Sequence, residues 1–435
     1  MAKPKIIGYV EDSKLEIGNV EELQTTNKDN LVKAINEVHT ESSRISEDKL
    51  IGKAKLSIDR MLIADDIKKG RIFTDFTDFV LWYGIVKQDA THVITGKTSL
   101  MLTPDASNTT VAGRLRSTKI NLANTNMMIR MYIEDINDFS NFEIRFSSVD
   151  NMASYLGYKI TKWRLIDGWN EFMIPLDKLT IVGTGTTLET INTIQVSVTG
   201  VTKSVWVDAM YLGRTKKPSV MLHFDDAFTS QYANALPIMR AYGLVGSVGV
   251  ISDYVGTGGH MTLDQLKRMY DMGWDMFNHT KTHVDLTTVT TEQVAEELLA
   301  CKQFLINNNL TGAENLVAYP YGSHNANVIN IMNDYEMGRI TREDYEVSPS
   351  IQPHRLKCIN MYPTVDIATA KAHIDYIVKN NCTAILLFHK IEPSTNTEQM
   401  NYPMDAFEEL VRYISDRNRE NKLDVLTWSE YNKSL

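Results

Sequence analysis

Five side chains in the second half of the chain carry groups suited to activating water around a cation: Asp225, Asp226, His279, His283 and His389. Two imidazoles and one carboxylate make an N/O donor set that a divalent metal accepts while keeping coordination positions open, as a metal acting on water requires. Asp226, His279 and His283 are the candidate ligands. The two histidines stand four residues apart, so one helical turn would aim both rings at a common point. An isolated pair of this spacing is more often structural than ligating; the neighbouring carboxylates change the balance. Asp225 and Asp226 end the apolar run Ser219–Phe224, which reads as a buried strand. At a strand end the chain turns, and both carboxylates can face one cavity. One then holds metal while the other takes a proton. A cation beside Asp225 favours its ionised, basic form, whereas a group in a drier setting can stay protonated and act as an acid. His389, which follows the run Thr383–Phe388, suits that second role, although a histidine at a strand end is by itself more often a satisfied structural residue.

The elements that must position these groups follow from the pattern. Beyond Pro218, strand-like runs alternate with helical stretches such as 262–272 and 291–307. That alternation predicts parallel strands in an α/β fold, with chemistry at their carboxyl ends. Asp225, His279, Tyr321 and His389 each follow a separate strand-like run. In the string Tyr319, Pro320, Tyr321, Gly322, the proline fixes its own backbone angle and the glycine permits a tight exit, which by itself describes an ordinary turn.

With these residues in view, positions 218–431 resemble the polysaccharide deacetylases of carbohydrate esterase family 4. The paired aspartates match the family's first motif, and His279 and His283, led in by Gly273, Trp274 and Asp275, match its second. Residues 235–243 resemble the helix after the first strand and 246–251 the second strand. The resemblance implies an irregular (β/α)7 barrel and one divalent metal on Asp226, His279 and His283, zinc being the first expectation and cobalt or nickel the alternatives. It further implies Asp225 as catalytic base, His389 as general acid, the Tyr321 backbone N–H as oxyanion donor, and Pro320 and Leu387 as substrate-pocket residues. The chain departs from the pattern in carrying Ala318 where many members have an arginine that orients the base, and Ala227 in place of a glycine. Lys357 and Asp366 are the candidates for the fourth motif, which tunes the acid. The implied activity is hydrolytic removal of acetyl groups from a bacterial surface or cell-wall polysaccharide. Alternatives are an O-acetyl esterase on capsule or teichoic polymer, a catalytically silent glycan-binding receptor protein, and a host wall enzyme.

Upstream, from about 73 to 212, short alternating runs such as 128–133, 142–146 and 194–198 predict a β-sandwich. Residues 167–176 and 205–212 resemble the closing strands of jelly-roll carbohydrate-binding modules. Trp82, Tyr83, Trp163 and Trp169 have the rings to stack on sugars, although a tryptophan in a sandwich is more often core. The polar stretch 214–218 ends in proline and marks a boundary. The expected organisation is an attachment and oligomerisation segment over 1–69, a carbohydrate-binding-module-like sandwich over 70–214 and a catalytic domain over 218–435.

Residues 26–38 resemble a recurrent element near the start of phage tail and fibre proteins. Leu31, Ile35, Val38, Ser42 and Ile45 follow helical steps of four and three, a seam for partner helices or for a short helix packing on its own chain. A homotrimer joined to other phage structural proteins is the expectation, with a virion component acting at the host cell surface. The chain start is expected to be no signal peptide, and no run of about 18 apolar residues suggests a membrane span. The 435 residues exceed one ordinary domain, 43% apolar content suffices for real cores, and a net charge of −9 argues against nucleic acid or an anionic membrane as main partner. Cys301, Cys358 and Cys382 lack paired spacing and read as buried thiols.

Overall fold

Alternation of residue type builds the first half of the molecule. The computed structural model describes residues 7–10, 13–16, 71–76 and 82–435. Within the first 67 residues the described part is an antiparallel hairpin of Ile7–Val10 on Ser13–Glu16. The helix expected over 26–45, its trimeric seam and the Tyr83 ring lie outside the described residues.

Two six-stranded antiparallel sheets occupy residues 71–212. In the strand Phe139–Ser147, Phe142, Ile144 and Phe146 are buried, while Glu143 and Arg145 between them pair on the outer face at 2.8 Å. The facing sheet behaves differently, because its strand Val205–Leu212 is buried at every position. Val205, Val207, Met210 and Leu212 pack into the core between the sheets, whereas Ala209 and Tyr211 join Met128 and Met173 in a cluster shared with the downstream α/β unit. A register shift between Val207 and Ala209 changes the phase and lets one strand serve both cores. The stretch 214–218 is fastened at its start: Arg214 is buried and donates to the carbonyls of Ser348 and, at 2.5 Å, Asn381. Lys68–Leu435 accordingly forms one compact unit.

That unit's second half is a closed ring of parallel strands: β1 (Ser219–Phe224), β2 (Ser247–Val250), β3 (Asp275–Asn278), β4 (Leu316–Ala318), β5 (Met337–Glu343), β6 (Leu356–Asn360) and β7 (Thr383–Phe388). Closure is made by β1 pairing β2 at His223–Ser247 and Phe224–Val248, while Asp424–Val425 adds an eighth strand at the start of β1. The ring is irregular, for β3 meets β4 at the single pair Asn278–Val317. Met221, Phe277, Ala318, Met337, Ile385 and Leu387 fill its interior, while Val220, Leu222, Phe224, Leu386 and Phe388 pack outward against helices. Because side chains alternate, the interior position just beyond the last one inside the ring carries a site residue on four of the strands. Asp225 follows His223, His279 follows Phe277, Arg339 follows Met337 and His389 follows Leu387, each two residues on. The helix Trp428–Lys433 closes the opposite end: Trp428 N–H donates to Ser247 Oγ at 2.9 Å, and Ser429 holds Asp275 at 2.7 and 2.9 Å.

Where the sandwich meets the ring, Glu346 is buried and accepts from Lys357 N–H at 2.7 Å. Burial pushes its carboxyl up from 4.5 to about 7, against the pull of Lys357. A folded-state value raised in this way means that this group's contribution to stability is fully present below pH 4.5 and is lost as pH rises through 7. Denaturant titrations at pH 5 and pH 8 are expected to differ by about 2.5 kcal/mol from this group. In Glu346→Gln that difference should disappear; an unchanged difference would assign it elsewhere.

Candidate metal and acid–base site

The end of β1 places two carboxylates side by side. Asp225 N–H donates to Phe388 O at 2.9 Å, continuing the β1–β7 ladder. Asp226 and Ala227 then adopt φ of 69° and 54°, reversing the chain so that both carboxylates serve the same cavity. Left-handed backbone costs a residue with a Cβ about 1–2 kcal/mol, so Ala227 makes under strain the turn a glycine would make freely. The buried Gln231 amide donates to Asp225 O at 2.6 Å and His389 O at 2.8 Å, tying together the ends of β1 and β7.

His279 and His283 are not on a helical turn. They lie on the loop after β3, with Thr280 and His283 at φ 68° and 62°. Side chains replace the helical hydrogen bonds. Thr280 N–H donates to Asn278 Oδ1 at 2.9 Å and His283 N–H to Thr280 Oγ1 at 3.0 Å. Glu297, from the helix Thr291–Asn307, accepts the N–H groups of Lys281 and Thr282 at 3.0 and 2.8 Å and the Thr282 hydroxyl at 2.7 Å. The loop thereby brings the two rings to 4.9 Å between centroids.

Donor atoms of Asp226, His279 and His283 all lie within 4.8 Å of one another. Nε2 of His279 and of His283 stand 3.3 and 3.4 Å from Asp226 Oδ1. His279 Nδ1 is 2.8 Å from Ala318 O and must donate to it, so in the neutral ring Nε2 is an acceptor facing another acceptor. Asp226 Oδ1 is itself buried without a hydrogen-bond donor. Two acceptors aimed at one point fit a cation between them, and the residues therefore suit a divalent metal. Burial and the neighbouring His279 bring His283 down to about 4, which keeps it a neutral donor near pH 7.

Asp225 lies beside this triad, its Oδ2 3.7 Å from His279 Nε2. Burial raises its carboxyl, but Arg339, His279 and His389 outweigh burial and hold it well below the usual carboxylate range. Arg339 was not legible in the motifs. It is fully buried on β5 and its Nη2 contacts Asp225 Oδ2 at 2.5 Å. Ala318 and Arg339 are register partners on β4 and β5, so the arginine missing at 318 is supplied one strand over. A lone arginine inside the apolar stretch 337–340 was the available signal.

His389 emerges from β7 beside the carboxylates; burial favours its neutral ring and lowers its pKa, the reverse of the dry setting expected to keep it protonated, while Asp225 and Asp226 pull the other way. Among the described residues no carboxylate pairs with its ring at ion-pair distance. Lys357 and Asp366 do not fill that place. Lys357 alternates with the interior Cys358, points outward and lies 3.5 Å from Asp344, while Asp366 caps the helix Ile367–Asn380 through Thr369 N–H at 2.7 Å. Leu387 sits in the interior two residues before His389. Pro320 is buried, and Tyr321, at φ 59°, is 66% exposed, its ring lying edge-on to that of His283 with 4.8 Å between centroids. At Gly322 a Cβ would fall 2.2 Å from Thr341 Oγ1, so the turn requires glycine there.

Residues 212–340 match the polysaccharide deacetylase family, a span that takes in Asp225, Asp226, His279, His283, Tyr321 and Arg339 and stops short of His389. The chain is 28% identical over 159 residues to the poly-beta-1,6-N-acetyl-D-glucosamine N-deacetylase of Staphylococcus epidermidis, covering 33% of this chain and 55% of the relative. It is 36% identical over 95 residues to the peptidoglycan-N-acetylmuramic acid deacetylase PdaA of Bacillus subtilis, covering 21% of this chain and 34% of that protein. The chain thus spans about half or less of these relatives. Among solved structures, Streptococcus pyogenes deacetylase PplD in complex with acetate aligns at 25% identity and a TM-score of 0.33, over 35% of this chain and 68% of that one. Residues 212–340 are thus similar to the polysaccharide deacetylases.

Proposed function

We propose that this chain is a metal-dependent deacetylase that removes acetyl groups from a bacterial surface or cell-wall polysaccharide. One arrangement carries the reading: the Asp226, His279 and His283 donors gathered within 4.8 Å, with an Arg339-paired Asp225 beside them. A divalent cation on those donors, zinc before cobalt or nickel, would supply Lewis acidity toward water and the acetyl carbonyl. Asp225 takes the proton of the attacking water as the new C–O bond forms. The Tyr321 N–H donates to the developing oxyanion. His389 gives a proton to the leaving nitrogen as the C–N bond breaks, and acetate and a free amine remain. Leu387 and Pro320 line the pocket for the acetyl methyl.

The Staphylococcus epidermidis relative is named for an N-acetylated glucosamine polymer, which brings N-acetyl glycans ahead of O-acetyl capsule or teichoic polymers as substrate. The Arg339–Asp225 pair supports a working base ahead of a catalytically silent glycan binder. The setting proposed is a virion tail or fibre at the host cell surface, assembled as a trimer through the N-terminal segment; that part rests on residues 26–38 alone.

Acetate release from matched N-acetylated and O-acetylated wall and capsule glycans tests the reading. Release from an N-acetyl glycan should stop with chelator and return with zinc, and His279→Ala should lose both cation and turnover. No release from any glycan by the fully metallated chain would instead support the silent binder. Mass spectrometry of purified virions separates the tail setting from a host wall enzyme.

A further inference from the structure

Of the tryptophans that the structure describes, Trp82, Trp206, Trp274 and Trp428 are buried and Trp169 is half-buried against Tyr132, but Trp163 is 69% exposed. A single exposed hydrophobic is ordinary by itself. Trp163 is set apart by how firmly it is held and by what lies beside it. It occupies the short turn Lys162–Arg164, at the edge of the sandwich nearest the C-terminal end of β5. Its carbonyl accepts from Arg342 at 3.4 Å, and the next residue, Arg164, is pinned by Asp344 and by the Tyr158 hydroxyl at 2.5 Å. The backbone that carries the indole is thereby fixed and Lys162 Nζ lies 5.4 Å from the indole centroid, so only side-chain torsions remain to be ordered when a ligand settles on the ring.

Beside the indole lies a groove of about 340 Å³, bounded by Trp163, Gly322, His324, Thr341, Arg342 and Glu343. That volume is at the small end of the roughly 300–1,000 Å³ of ligand pockets. One wall is a flat apolar ring, while the floor offers a guanidinium, a carboxylate, a hydroxyl and an imidazole whose Nδ1 is engaged by Gly322 O at 3.0 Å. A pyranose has the matching character, with C–H groups on its faces and hydroxyls around its edge. The groove's lining is linked to the reaction site through Tyr321. Thr341 Oγ1 donates to Tyr321 O at 3.2 Å, Gly322 follows Tyr321, and the Tyr321 ring abuts His283.

We propose that this groove is a second sugar subsite, built jointly by sandwich and barrel rim, in which Trp163 stacks on a pyranose of the same glycan chain whose neighbouring residue presents its acetyl group to the triad. The identity of the chain as an acetylated glycan rests on the function proposed above; the groove and its chemistry do not.

The test uses the full chain with five-residue β-1,6- and β-1,4-linked N-acetylglucosamine oligomers. Trp163→Ala should raise KM for the preferred oligomer about tenfold, the order expected for losing one stacked aromatic anchor. It should leave kcat within about twofold and leave kcat/KM for 4-nitrophenyl acetate, which is too small to reach the groove, unchanged. Trp163→Phe should recover most of the loss. Equal KM for the wild-type chain and Trp163→Ala overturns the subsite. If no acetate is released from any oligomer, calorimetric titration with the same oligomers decides separately: binding lost in Trp163→Ala supports the groove, while equal binding, or none by the wild-type chain at millimolar oligomer, overturns it.

Discussion

Asp225→Asn is expected to lower acetate release by about a hundredfold to ten-thousandfold, the range for losing a positioned base, while the cation content stays that of the unmodified chain. The expectation follows from what the substitution leaves intact. Asn keeps the shape of Asp and its oxygen can still accept from Arg339 Nη2, now 2.5 Å from Asp225 Oδ2, so the buried guanidinium keeps a partner. The candidate ligands are Asp226, His279 and His283, none of which is altered. The capacity to take a proton is removed together with the negative charge that balances Arg339, so the variant's melting temperature is recorded beside its rate. Initial-rate assays on the preferred glycan, with metal analysis of the same sample, check this. Undiminished release by Asp225→Asn would move the base elsewhere, and loss of cation together with turnover would make Asp225 part of the metal shell instead.

The second large effect concerns Arg339. Arg339→Met removes the charge and leaves the buried Asp225 carboxylate facing burial without its main counterweight. Breaking a buried pair in this way costs about 3–5 kcal/mol, so the variant should melt well below the parent chain. Its effect on rate has a sign. With Arg339 gone the pKa of Asp225 rises, the base stays protonated to higher pH, and the acidic limb of the pH–rate profile moves upward. The companion experiment tests position as well as presence. Because Ala318 and Arg339 are register partners on adjacent parallel strands, Ala318→Arg combined with Arg339→Ala would approach Asp225 from the neighbouring strand. The pair should recover at least about tenfold of the activity lost in Arg339→Ala alone. A folded double variant no more active than the single one would show that the guanidinium serves only packing.

Arg339 also marks where the sequence stops being readable. Alternation along one strand is a local property, so the inward aim of Asp225 and His389 followed from the runs ending at Phe224 and Phe388. The pairing of Ala318 with Arg339 depends on register between strands 21 positions apart, and nothing in either strand alone announces it. The histidine pair is the reverse case. Its spacing brings the rings together as expected, yet through a loop with left-handed Thr280 and His283, residue types that give no hint of positive φ. Lys357 was proposed near His389 on type alone; its parity beside Cys358 turns it outward. In the sandwich, the register shift by Asp208 buries all of Val205–Leu212 and hides the alternation that its neighbours display.

The strand that serves two cores has a practical outcome for anyone wishing to move the α/β ring into another chain. Excising 218–435 would uncover the barrel side of the seam that Met128, Met173, Ala209 and Tyr211 now cover, and would leave the carbonyls of Ser348 and Asn381 without the Arg214 donor. Recombination between homologous proteins would therefore succeed when everything from Lys68 onward travels as a single cassette.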